Sequence, residues 1–220
     1  MLRLGMFVAV AALTGCFTSP RYPSTLPALV DVDTTREACP AIAGTYADTG
    51  TAVAPDGRVL GAVSLTGLLH ARPKVTERAD AVVVRGPDGD VVAIDSFQGP
   101  RRIATWQQAK VTKEIYLARG DRAVAQTYLC QNGFVRLGRA YDVAATGAPG
   151  LLVTSVKSDF LWLRKSTDGS LIALHTDYAY TMIDLVLPLG GLDKMWYRFV
   201  PAALPMSRKE ADRGSFPAGA

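Results

Sequence analysis

The dipeptide Asn132-Gly133 constrains this chain more than any other pair. Asn132 is the only asparagine in 220 residues, and the pair stands between Thr127-Tyr128-Leu129-Cys130 and Phe134-Val135-Arg136-Leu137. A two-residue type I′ turn needs positive φ at both central positions, and Asn followed by Gly meets that need at low steric cost. The β-branched and aromatic residues on either side then read as the two arms of a hairpin. The same grammar recurs twice. Ala81-Val82-Val83-Val84 and Val91-Val92-Ala93-Ile94 flank Pro87-Asp88-Gly89, while Leu151 to Arg164 and Leu171 to Leu187 flank Thr167-Asp168-Gly169 and give the longest strands. No alternation of strand and helix patterns accompanies these hairpins, so a parallel sheet is not expected. The expected fold is mainly β: an antiparallel curved sheet or partly closed β-barrel with one or two short helices.

The remaining pattern fills in around that frame. Cys39-Pro40-Ala41-Ile42-Ala43-Gly44-Thr45-Tyr46 reads as a first strand, followed by a Gly- and Pro-containing loop up to Gly61. Ser64 is a capping-type residue ahead of Leu65, Leu68 and Leu69, whose spacing suggests one or two helical turns, although Gly67 weakens them. Trp196-Tyr197-Arg198-Phe199 supplies a closing strand. Strict period-two counting in the third hairpin puts Val156, Phe160 and Trp162 on one face and Ile172, Leu174, Tyr178, Tyr180 and Met182 on another; both are expected to meet the core.

Composition sets the class. Hydrophobic residues at 49% and charged residues at 20% are ordinary for a globular chain. Lys and Arg total 24 against 20 acidic residues, a small and dispersed excess that makes no nucleic-acid stripe. The start of the chain departs from this average. Met1 to Arg3 gives a brief positive start and Leu4 to Leu13 an apolar run, within the range of a signal h-region. That run is far short of the roughly 20 residues needed to span a bilayer.

Leu13-Thr14-Gly15-Cys16 closes the run and resembles the lipobox of bacterial lipoproteins. The resemblance implies cleavage before Cys16, acylation of Cys16, and a membrane partner reached through the lipid. Since each buried CH₂ contributes about 0.8 kcal/mol, two or more chains hold a protein on the bilayer. The alternative is an ordinary secretory signal with a coincidental cysteine. Phe17 follows Cys16 where an Asp would suggest inner-membrane retention, so the expectation is the outer membrane, facing the periplasm. The expected divisions are a signal peptide at 1–15, a lipidated, Pro-containing tether at 16–37 with Pro20, Pro23 and Pro27, a β-rich domain at 38–203, and a flexible tail at 204–220. The 205 residues left after removal of the first 15 suffice for one core.

With Cys16 acylated, Cys39 and Cys130 remain, and an oxidising envelope lets such a pair bond. The alternative is two buried thiols acting as small hydrophobes. No Cys-x-x-Cys occurs, so neither a redox centre nor a zinc site is expected.

Chemistry-bearing motifs are missing: no Gly-x-Ser-x-Gly, no His-Glu-x-x-His, no phosphate-binding Gly-x-x-x-x-Gly-Lys and no dinucleotide fingerprint. The two histidines are His70 and His175, and His175 is expected to be separated from Asp177 by the alternation of the strand, which spoils a triad. The chain therefore reads as a non-enzymatic envelope component without catalytic, cofactor or metal residues, acting by structure or by contact with an envelope protein. Ile42-Ala43-Gly44-Thr45-Tyr46 is similar to the Gly-x-Trp opening of lipocalins, with Arg198 standing for their late arginine. That likeness implies the alternative, a carrier of a small apolar ligand in a cavity lined by Phe160, Trp162, Tyr178 and Tyr180. The combination of the lipobox, Cys-Pro with Gly-Thr-Tyr and the late Trp-Tyr-Arg-Phe also resembles small uncharacterised proteobacterial lipoproteins, which implies no activity.

Overall fold

In chain order the elements are β1 (Gly44–Ala47), β2 (Thr49–Val53), β3 (Val59–Ser64), α1 (Leu65–Leu69), β4 (Ala81–Asp88), β5 (Val91–Gln98), β6 (Arg101–Lys110), β7 (Thr127–Gln131), β8 (Phe134–Ala148), β9 (Leu151–Lys165), β10 (Leu171–Ile183) and β11 (Leu187–Phe199). The computed structural model describes residues 21–32, 39–69, 78–111, 127–148, 151–183 and 187–203. Cys16, His70 and residues 204–220 lie outside them.

Each expected turn joins its two strands. Asn132 and Gly133 both take positive φ, 53° and 73°, between β7 and β8, and Gly89 and Gly169 do the same between β4 and β5 and between β9 and β10. All ladders are antiparallel except β6 with β7, which meet in parallel over Ala109 and Lys110. Among the described residues the eleven strands form one sheet, ordered β1-β4-β5-β6-β7-β8-β9-β10-β11-β2-β3. It is strongly curled into a half-barrel.

The curl follows from one residue. β1 and β2 sit near opposite ends of the strand order, yet Asp48 alone separates them in sequence. The two edges must therefore approach each other. Tyr46 pairs with Pro201 just beyond β11, where Ala47 N–H donates to Val200 O and Ala202 N–H to Thr45 O, both at 2.9 Å. Asp48 is buried at this corner; its backbone oxygen accepts from Leu65 N–H and its carboxylate from Thr66 N–H, each at 2.7 Å. It thereby occupies the open amides at the start of α1, while Ser64 Oγ accepts from Gly67 N–H at 3.0 Å.

Inside the curl lies one core. Ile42, Tyr46, Leu65, Leu69, Val82, Ile94, Tyr128, Val135, Leu137, Leu161, Leu163, Leu171 and Phe199 are essentially inaccessible to water. Each such side chain contributes about 1.5–3 kcal/mol of transfer free energy. Cys39 and Cys130 are bonded across this core, with 5.0 Å between their Cα atoms. Gly50 of β2 is held there by close approach: a Cβ at that position would come within 2.3 Å of the Phe199 ring and 2.5 Å of the Arg198 carbonyl.

That contact explains one departure from expectation. The stretch before Gly61, expected as loop, forms the β2–β3 hairpin. Its Gly and Ala content signals close packing on β11 rather than the absence of a strand. A second departure concerns the last strands: the run from Leu171 to Leu187 breaks after Ile183, and Trp196–Phe199 is the end of the long strand β11.

The third departure is one of parity. Leu161, Leu163, Leu171 and Ala173 face the core, so Phe160, Trp162, Ile172 and Leu174 belong to the other side of the sheet. Both sides of β9 and β10 are apolar in this stretch, and period two alone cannot choose between two apolar stripes. The outer stripe is covered by residues from the expected tether. Leu26, Val53, Ile172 and Trp196 form a second buried cluster, joined by Tyr22, Leu29, Phe134 and Leu174. The Tyr22 ring stands edge-on to Trp196 at 5.1 Å, its hydroxyl donates to Pro27 O, and Leu29 bridges to Ser166. Over its described part, 21–32, the stretch is thus packed rather than extended into solvent. Burial, with the nearby Asp168 charge, pushes the Tyr22 hydroxyl up to about 12.

Candidate functional site

Above Leu161 and Ala173, the core-side face of β9, β10 and β11 changes from apolar to charged. The register sets Asp159 opposite Asp177 and Asp177 opposite Asp193, one carboxylate from each of three neighbouring strands. Like charges directly across a ladder repel. A histidine and a lysine side chain contact this row. His175, next to Asp177 on the same face, shares a 2.7 Å hydrogen bond between Nε2 and Asp159 Oδ1, and Lys157 Nζ lies 3.8 Å from Asp177 Oδ2. His175 and Asp159 are 23% and 18% exposed, whereas Lys157 is 60% exposed, so the pair at the core boundary is the better shielded and the stronger contact.

His175 and Asp177, expected on opposite faces, share one, because positions two apart in a strand point the same way. The partner of His175 comes from β9 instead. Sequence reading missed Asp159, since only the register across β9 and β10 brings it to the ring; the signal was the shared odd numbering of Asp159, His175, Asp177 and Asp193 within adjoining strands. What the belt can do is limited and definite. It is a polar step on the concave side, favourable to cations and water and unfavourable to an apolar guest. Among the described residues no group of three His, Cys, Asp or Glu side chains is placed to hold a metal ion.

Other polar clusters hold the frame. Asp168, in the β9–β10 turn, accepts from Ser166 Oγ at 2.6 Å, Ser170 N–H at 3.0 Å and Arg198 Nη2 at 2.5 Å. Burial alone would raise its pKa, but these donors hold the carboxyl far below the usual carboxylate range. Arg198 is thereby committed to the turn on the outer face. Tyr46 points into the core and donates to Ile42 O at 2.8 Å, so the two residues that suggested a lipocalin do not meet through these contacts. Asp95, buried in β5, is offset by Arg85, by Thr105 Oγ1 at 2.7 Å and by Arg102 at 3.8 Å. On the outer side Arg136 lies over Phe160 at 4.6 Å and Trp162 at 5.3 Å, which covers two of the aromatics expected to line a cavity.

Of the residues singled out in sequence, Cys39 and Cys130 come together as a disulfide, and Cys16 lies outside the described residues. Comparison with protein-family models, with curated proteins and with solved structures finds no match for the chain.

Proposed function

We propose that the chain is a lipid-anchored component of the cell envelope. Acyl chains on Cys16 hold it at the outer membrane, facing the periplasm, and the domain acts without catalysis, by contact with a partner surface. The observation that carries this reading is the packing of residues 21–32 against the sheet. This stretch, with Pro23 and Pro27, is fixed to the domain by Leu26, Tyr22 and Leu29, and Cys16 stands only six residues before Tyr22 in the sequence. The Cys39–Cys130 bond suits the same oxidising compartment. A carrier of an apolar ligand draws less support, because Phe160 and Trp162 lie on the outer side and the concave side rises into carboxylates.

Metabolic labelling with palmitate tests the anchor. The wild-type chain should be labelled and its unprocessed form should accumulate under globomycin, with both effects lost in Cys16→Ala. Label that persists in Cys16→Ala would overturn the reading.

A further inference from the structure

The two sides of β8–β11 carry different charges. Register and parity place Asp159, Asp177 and Asp193 on the concave side with His175 and Lys157, whereas Arg136, Arg164, Lys194 and Arg198 all belong to the outer side. Among the described side chains of these strands no carboxylate stands on the outer side. Asp168 in the β9–β10 turn pairs with Arg198, and exposed Asp31 follows Val30, whose carbonyl accepts from Arg164; the four cations outnumber these two.

The cations surround an apolar centre. Trp162, Leu174 and Trp196 share one register row across β9, β10 and β11, and Arg136 ends that row on β8. Two residues along the strands Arg164 and Arg198 flank Ile172, and two residues the other way Lys194 lies beside Thr176. From strand spacing and rise, all four cations are rooted within about 10 Å of Leu174. An aromatic centre inside a charged rim is the anatomy of a protein–protein contact, and Trp and Arg are the residues that most often carry its energy. The Phe160 and Trp162 rings fix the Arg136 guanidinium, whose fork matches a carboxylate.

Residues 22–27 cover part of this centre, and cover it imperfectly. Tyr22 and Leu26 pack with Trp196, Ile172 and Val53 in a cluster separate from the main core. The segment is closed on itself, by Leu26 N–H to Pro23 O at 3.1 Å and by the Tyr22 hydroxyl to Pro27 O. Among the described residues its one hydrogen bond to the sheet runs from Thr25 Oγ1 to Gly57 O at 3.2 Å, at an exposed site. Residues 28–30 are fastened more firmly, by Val30 N–H to Lys165 O at 3.0 Å, Thr167 N–H to Ala28 O at 2.8 Å and Arg164 Nε to Val30 O at 3.1 Å. Trp196, against which Tyr22 stands edge-on, is only 3% exposed, and its Nε1–H has no hydrogen-bond partner among the described residues. A buried donor left unpaired is costly, so an occupant that brings an acceptor to Nε1 gains over Tyr22 to Pro27.

We infer that this outer side is the contact surface for an acidic segment of a partner protein bearing an aromatic residue and a leucine, and that residues 22–27 occupy its centre until that segment displaces them. Residues 28–30 stay fastened and act as the pivot. The partner's carboxylates meet Arg136, Arg164 and Lys194, its apolar side chains replace Tyr22 and Leu26, and one of its oxygens accepts from Trp196 Nε1. The inference rests on the proposed action by partner contact and is independent of acylation at Cys16.

The test uses the full chain with its disulfide intact and two fluorescent peptides. Both copy residues 21–28, with Arg21, Ser24 and Ala28 replaced by Glu in one and by Lys in the other. By fluorescence anisotropy the Glu peptide should bind the Tyr22→Ala, Leu26→Ala protein about tenfold tighter than wild type and about tenfold tighter than the Lys peptide does. Adding Arg136→Gln and Lys194→Gln should weaken it several-fold, and the Trp196 indole N–H resonance should move downfield on binding. Equal affinity for the two peptides, no gain on loosening residues 22–27, or an unmoved Trp196 resonance would each overturn the inference. Hydrogen exchange of the wild-type chain keeps the test decisive should the double variant not fold. Saturating Glu peptide should speed exchange of the Leu26 amide about tenfold while the Val30 amide stays protected, and an unchanged Leu26 amide would overturn the displacement. Failure of the peptide to bind would remove this surface and leave the anchor standing, because palmitate labelling reads Cys16 alone.

Discussion

The same four strands, β8 to β11, behave as two different materials along their length. At the base their core side supplies Val135, Leu137, Leu161, Leu163, Leu171 and Phe199, roofed by α1 and the opposite wall and tied by the disulfide. Past the row of Asp159, Asp177 and Asp193 the pairing continues, and of the side chains described there Ser155, Lys157 and Thr181 are not buried. Hydrogen bonding is thus common to both ends, and among the described residues the buried apolar core belongs to the base. Since a ladder bond is worth only about 1 kcal/mol net, while a buried aromatic or leucine is worth several times that on truncation, the base must carry the stability and the extension is free to serve contact.

Removing the disulfide should strike the base hardest. Replacing Cys39 and Cys130 together by Ser reopens a loop with a sequence separation of 91 and should lower unfolding stability by about 4–5 kcal/mol, read as a fall in the urea midpoint. A loss below about 1 kcal/mol would mean that the base does not depend on its staple.

A paired truncation sharpens the contrast. Phe199→Ala empties a fully buried site against Gly50 and should cost about 3–5 kcal/mol, whereas Thr181→Ala, at a half-buried position far along β10, should cost under about 1 kcal/mol. Equal losses by urea denaturation would abolish the distinction between the two ends.

The smallest effect concerns the base turn. Asp168→Asn removes the charge that Ser166, Ser170 and Arg198 surround, and since the ion pair is over a third exposed the expected loss is about 1 kcal/mol at neutral pH. The sign with pH is fixed by the depressed carboxyl. Its contribution is present above the ordinary carboxylate value, about 3.9, and fades as pH falls below it toward the folded-state value. Wild type and Asp168→Asn should therefore converge in acid; a gap that widens there would refute the assignment.

Much of the base was legible in the sequence, because turn chemistry is local. Asn132-Gly133, Gly89 and Gly169 announce hairpins through backbone preferences that need no tertiary context, and Ser64 with Leu65, Leu68 and Leu69 announces α1 in the same way. The disulfide followed from counting cysteines. What stayed hidden depends on contacts between distant segments. Gly50 looked like loop because its reason, the Phe199 ring, lies far along the chain. The inner and outer stripes of β9 and β10 could not be told apart without knowing that residues 21–32 cover one of them. The pairing of His175 with Asp159 needed the register of two strands, which no spacing within either strand contains.

Asp48 has a consequence for the order of events as well as for the shape. By joining β1 to β2 it obliges the first strand to lodge between β4 and residues 200–202, so that Tyr46 meets Pro201 across 155 positions of sequence. Local hairpins can form as the chain emerges, but this seam cannot close until nearly the last residue of the sheet is present, and such distant pairings are slow. The sheet therefore stays open along this seam until the last strand has been made, and the half-barrel takes its final curl only then.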